Sequence, residues 1–98
     1  MTTRESQIEA YLVDKIKAIG GLCWKFVSPN VTGVPDRIIL IHGNAYFVEV
    51  KTETGRLEKI QYHRARQIRD CGLSVTVVKS KEQVDQLIER IRDEVRPA

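Results

Sequence analysis

The chain has 98 residues, 42% hydrophobic and 30% charged, with a net charge of +3, which is the balance of one globular domain spanning 1–98 with room for one modest core. Its apolar runs reach only four residues, as in Ile38 to Ile41, so a membrane span is excluded. The amino-terminal stretch Met1 to Gln7 has none of the apolar character of a secretory signal, and the expected location is the cytoplasm. The basic tilt permits a nucleic-acid partner without requiring one. Cys23 and Cys71 form no CxxC and no disulfide framework, so both are expected to be small buried apolar residues in a reducing compartment.

Taken in chain order, Ile8, Tyr11, Leu12, Ile16 and Ile19 recur at helical spacing over residues 3 to 19, and Gly20-Gly21 ends the pattern. Leu22 to Val27 is expected as a strand, and Ser28 to Gly33 as a loop because its residues favour turns. Asp36 to Ile41 is apolar without alternation, the pattern of a strand covered on both faces. The turn residues His42-Gly43-Asn44 lead into a returning strand, Ala45 to Lys51. After a polar connection, Leu57 to Cys71 is expected as a helix with Leu57, Ile60, Ile68 and Cys71 on one face and Gly72 as its stop. Ser74 to Val78 is a β-branched strand, and Ser80 caps a last helix carrying Val84, Leu87, Ile88, Ile91 and Val95 on one side. The order αβββαβα implies an α/β fold, a small mixed sheet flanked by helices.

The chemistry concentrates in the central hairpin. Side chains alternate along a strand, so Glu49 and Lys51 share a face while Val50 points away. The hairpin folds this end of its second strand back beside Asp36, bringing two carboxylates together. Such a pair repels itself and resists desolvation, and a hard divalent cation relieves both problems. Lys51 beside that ion would orient or deprotonate a water, or neutralise a phosphate. A structural ion pair between Glu49 and Lys51 explains the same residues, and a Glu-x-Lys triplet alone is common by chance. On the first helix, Glu5 falls within the arc of about 80° that holds Ile8, Leu12, Ile16 and Ile19, with Glu9 at its edge. Glu5 is therefore the candidate third acid and Glu9 the reserve. A solvated acid in the first helical turn is the competing explanation for Glu5.

Several blocks together resemble one family: Glu5-Ser6-Gln7-Ile8-Glu9, Gly20-Gly21, Lys25-Phe26, Ser28-Pro29, Gly33-Val34-Pro35-Asp36-Arg37, Phe47-Val48-Glu49-Val50-Lys51 and Gln61. Over residues 4 to 84 the chain resembles the VRR-NUC domains, virus-type replication-repair nucleases within the PD-(D/E)XK superfamily, in their stand-alone phage and bacterial form. The spacing from Asp36 to Glu49 is also similar to that of archaeal Holliday-junction resolvases. The resemblance implies a restriction-endonuclease-like αβββαβ core. It implies that Asp36, Glu49, the Val50 carbonyl and Glu5 hold Mg²⁺ or Mn²⁺, that Lys51 is the catalytic lysine and that Gln61 supports the site. No expected catalytic position departs from the family pattern. The reaction implied is metal-assisted hydrolysis of a phosphodiester, leaving a 5′-phosphate, in a bacterial or phage-infected cell.

Lys25, Arg37 and Arg64 are the expected contacts to the DNA backbone, Arg64 because it interrupts the apolar stripe between Ile60 and Ile68. Branched DNA such as a Holliday junction is the expected substrate. Resolving it takes two related cuts, which suits a homodimer with two-fold symmetry. Two other readings remain: a non-catalytic module that binds branched DNA on the same fold, and a sequence-specific duplex nuclease, which the short connections disfavour. Trp24 and Tyr46 are expected in the core or an interface, and His42 and His63 on the surface.

Overall fold

A computed structural model describes residues 3–95 of the chain; Met1 and Thr2, part of the stretch read for a signal, lie outside them. The elements follow one another as α1 (Glu5–Ala18), β1 (Leu22–Lys25), β2 (Arg37–Ile41), β3 (Asn44–Val50), α2 (Lys59–Asp70), β4 (Ser74–Val78) and α3 (Lys81–Glu94). This is the expected order, with element ends shifted by a residue or two. The strands form one sheet in the order β1-β2-β3-β4. The first three are antiparallel neighbours, and β4 lies parallel to β3 after the α2 crossover, so the sheet is mixed.

Local chemistry explains the ends of these elements. The Gln7 side chain accepts from the Arg4 amide at 2.9 Å and closes the start of α1, while Gly20 at φ 86° lets the chain leave it. The β2–β3 turn is a two-residue loop with His42 at φ 44° and Gly43 at φ 80°, the left-handed pair that matches the twist of a hairpin. Ser80 accepts from the Gln83 amide at 3.1 Å and Gln83 returns a bond to the Lys79 amide at 2.8 Å, so α3 starts where expected.

The sheet is covered unequally. On one face Ile39, Ile41, Tyr46, Val48, Val50 and Val78 pack against Ile8, Leu12 and Ile16 of α1 and Val84, Leu87, Ile88 and Ile91 of α3. Tyr11 binds Asp85 at 2.7 Å and joins those two helices. On the other face α2 reaches Phe47 and Val75 through Ala65, with Phe26, Ile38 and Ile68 at the margin. The predicted α2 stripe is therefore only partly buried: Ala65, not an isoleucine, is the buried residue of the helix. The β1–β2 end of this face has no helix over it, which leaves Trp24 56% exposed while Tyr46 lies in the core. The cysteines also depart from expectation. Cys71 is exposed because it caps the far end of α2, and Cys23 is only half-buried on edge strand β1. Among the described residues no helix is long and apolar enough to cross a membrane.

Leu12 is completely buried at the centre of the larger cluster. Leu12→Ala is expected to lower the free energy of unfolding by about 2–5 kcal/mol, read as a shift of the urea midpoint with an unchanged slope.

Candidate active site

The site forms where three pieces of chain end together: the loop before β2, the end of β3 and the first turn of α2. The register pairs Arg37 with Val48, which carries Asp36 up beside Glu49. The backbone holds Asp36 at both ends. Its carbonyl accepts from the Phe26 amide at 2.8 Å, and its Oδ2 accepts from the Val50 amide at 2.9 Å. The Asp36 and Glu49 carboxyls lie in hydrogen-bonding contact, as the hairpin argument requires.

Among the described residues Glu49 is the one buried charged residue, only 3% exposed. The Gln61 amide Nε2 stands 3.5 Å from its Oε1, while Gln61 Oε1 accepts from the Glu58 amide at 2.8 Å. One glutamine thus caps the start of α2 and reaches the buried acid. Burial, followed by the hydrogen bond and charge of Asp36, pushes the Glu49 carboxyl up to about 8; Lys51 opposes the rise and Glu5 adds to it. Lys51 is half-buried directly past β3, and its amide donates to the Val78 carbonyl at 3.0 Å.

A cleft of about 300 Å³ opens over this end of the hairpin, lined by Glu5, Glu9, Lys25, Phe26, Val27 and Asp36. Glu5 is exposed on the first turn of α1, beyond the sheet edge, rather than turned into the core as its arc suggested. It nonetheless shares the cleft with Asp36. Glu9 lies deeper and is tied at 2.9 Å to Arg37 Nε. Among the described residues no group of three acids, histidines or cysteines stands as a ready metal cage.

Two expected DNA contacts also bond within the fold. Arg37 is held by Glu9 and by the Cys23 carbonyl at 3.4 Å. Arg64 donates from Nε to the Thr32 carbonyl at 2.7 Å and from Nη1 to Gln67 Oε1 at 2.9 Å. The Arg37 bonds are partly buried between α1 and β1, whereas those of Arg64 lie at the surface and tie α2 to the loop before β2. Lys25, by contrast, is exposed on the cleft wall. The residues that the spacing of the sequence missed are Thr32 and Gly33 as partners of α2, and Val27 on the cleft rim.

The chain is 36% identical over 80 residues to a protein of Acyrthosiphon pisum secondary endosymbiont phage 1 named "Putative nuclease p44", covering 81% of this chain and 86% of that one. A solved structure titled VRR_NUC domain superposes with a TM-score of 0.83 at 36% identity, covering 89% of this chain and 96% of the other. The chain belongs to the VRR-NUC family. No family model matches it. The open four-stranded sheet with flanking helices is the fold of this VRR-NUC neighbour, as expected from the sequence blocks. Asp36, Glu49, Val50, Lys51 and Gln61 all fall at one end of that sheet, with Glu5 across the cleft.

The raised Glu49 carboxyl makes stability depend on pH. The folded state keeps a proton that the unfolded chain releases near the ordinary value of 4.5, so this stabilisation is full below that value and is lost as pH rises through about 8. In chelator, the urea midpoint of this VRR-NUC domain is expected to fall between about pH 5 and pH 9, and Glu49→Gln to flatten that fall.

Proposed function

We propose that this VRR-NUC nuclease is a divalent-metal-dependent DNA endonuclease. The single observation that carries this reading is the contact between the Asp36 and Glu49 carboxyls, one of them buried, with a lysine two residues on along the same strand face. A lone structural ion pair does not account for a second acid pressed against the first. The donors are hard oxygens and suit Mg²⁺ or Mn²⁺, and two carboxylates are enough because such an ion keeps several waters. Asp36, Glu49 and the Val50 carbonyl would hold it, with Glu5 placed to bind directly or through water. When bound, the ion supplies Lewis acidity that makes water nucleophilic near neutral pH and offsets charge on phosphate oxygens.

The remaining tasks fall to the protein. Val50 N–H fixes one oxygen of Asp36, and Gln61 stands against one oxygen of Glu49, so both carboxylates keep their orientation. Lys51 serves the attacking water or the scissile phosphate with its ammonium. Lys25 holds a backbone phosphate from the cleft wall. Hydrolysis joins the water oxygen to phosphorus and breaks the bond to the 3′-oxygen, which takes a proton and leaves a 5′-phosphate end.

Branched DNA is the proposed substrate and a homodimer the proposed working form, since paired cuts across a junction call for two sites related by symmetry. The second copy sits on the face that α2 leaves bare. There the cross-strand pairs Leu22–Leu40 and Trp24–Ile38 carry no charge, so two copies meet without like-charge repulsion. Trp24, the one tryptophan of the chain, reports on this contact: its emission shifts to the blue on self-association, and Trp24→Asp is expected to give a monomer by light scattering.

The decisive experiment incubates labelled four-way junction, flap and linear duplex with Mg²⁺, Mn²⁺ or chelator. Cleavage is expected only with metal and to be greatest on branched DNA. Asp36→Ala and Lys51→Ala are each expected to reduce it about 10²–10⁴-fold. Undiminished cleavage by both variants overturns the site assignment, and junction binding without cleavage identifies a binding module instead.

A further inference from the structure

The segment Ser28 to Pro35 enters the site from β1 and delivers Asp36, yet it contains no regular secondary structure. A loop of that kind cannot by itself hold a carboxylate to a fraction of an ångström. Its order comes from α2. Arg64 Nε donates to the Thr32 carbonyl at 2.7 Å, and the guanidinium is steadied by Gln67 at 2.9 Å. The next residue, Gly33, lies at φ 83° and is pressed so closely on α2 that a Cβ would stand 2.8 Å from Ile60 Cγ1 and 3.0 Å from the Ile60 carbonyl oxygen. From that contact the chain runs through Val34 and buried Pro35, whose ring fixes φ, to Asp36. Ile60 is the immediate neighbour of Gln61, the residue that reaches Glu49.

From this geometry we infer that Arg64 is a positioning residue: by clamping the Thr32–Gly33 peptide onto α2 it sets Asp36 in register with the Gln61–Glu49 pair. The inference rests on the metal-nuclease reading for its purpose and on the clamp geometry for its substance. It replaces a direct role for Arg64 on the DNA backbone. The two roles differ in what they change. A phosphate contact contributes affinity and salt dependence for DNA, whereas a clamp contributes the shape of the acid pair.

The test uses the full chain carrying Arg64→Ala, Arg64→Lys or Gly33→Ala, with folding checked by circular dichroism and thermal melting. Mn²⁺ affinity is measured by calorimetry without DNA. Four-way-junction affinity is measured in chelator at several salt concentrations, and cleavage is resolved into kcat and KM. Arg64→Ala is expected to weaken Mn²⁺ binding by about 10-fold or more and to lower kcat, with KM, junction affinity and the salt slope unchanged. Arg64→Lys keeps one donor and recovers part of the loss. Gly33→Ala opens the clamp from the loop side without removing a charge, and is expected to reproduce the same pattern. A salt slope reduced by about one with Mn²⁺ affinity intact makes Arg64 a phosphate contact and overturns the inference. Unchanged values throughout in Arg64→Lys and Gly33→Ala overturn it as well. Mn²⁺ binding by the wild type with no cleavage of any DNA defeats the nuclease reading alone, because the Mn²⁺ affinities still decide the role of Arg64.

Discussion

Glu49 leaves water at the end of a strand whose neighbouring side chains, Phe47, Val48 and Val50, are hydrocarbon, and its charge falls on the few polar groups within reach. An isolated carboxylate in such a place is costly, so the group holds its proton or gathers cations. Much of the architecture follows from managing that one acid. Asp36 is brought against it by the hairpin, Lys51 follows it along the same strand face, and Gln61 approaches it from the start of a helix. A buried acid pressed against a second, partly exposed one is a poor way to stabilise a small domain, and on the proposed function its use is to receive a cation.

The division of labour between the two sheet faces follows from the same requirement. The α1–α3 face supplies the main hydrophobic core, with Ile8, Leu12, Ile16, Val48, Val50 and Val78 almost free of solvent. The α2 face carries a smaller cluster around Phe47, Ala65 and Val75. The larger apolar cluster thus lies on the face opposite Gln61. This frees α2 to present Gln61 to Glu49 and Arg64 to the loop before β2 rather than to fill its whole inner surface with hydrocarbon.

Much of this was legible in the residues themselves. Helical spacing in α1 and α3, the β-branched β4 and the His42-Gly43 turn are local signals, and the structure follows each of them. The meeting of Asp36 and Glu49 was also readable, since strand alternation and one tight turn are enough to place them together. Contacts that cross the fold were not. Arg37 finds Glu9 and Arg64 finds Thr32 over separations of 28 and 32 residues, which no local periodicity encodes. For that reason the ties these two arginines make within the fold had no signal in the sequence. Cys71 misled in the opposite way: cysteine is a type often buried, but this one ends a helix and is exposed. Gln61 came from family resemblance, because a glutamine on a polar helix face carries no signal of its own.

The two-residue loop at His42-Gly43 stands at the opposite end of the hairpin from the acid pair. Residues 44–48 of β3 lie between them, so Gly43 and Glu49 stand roughly 20 Å apart at the usual rise of a strand. Chain inserted at that reversal would leave the chemistry undisturbed. The distal turn is accordingly the natural point at which a module of this kind can acquire a fused accessory segment, or accept a reporter dye, without retuning its catalytic end.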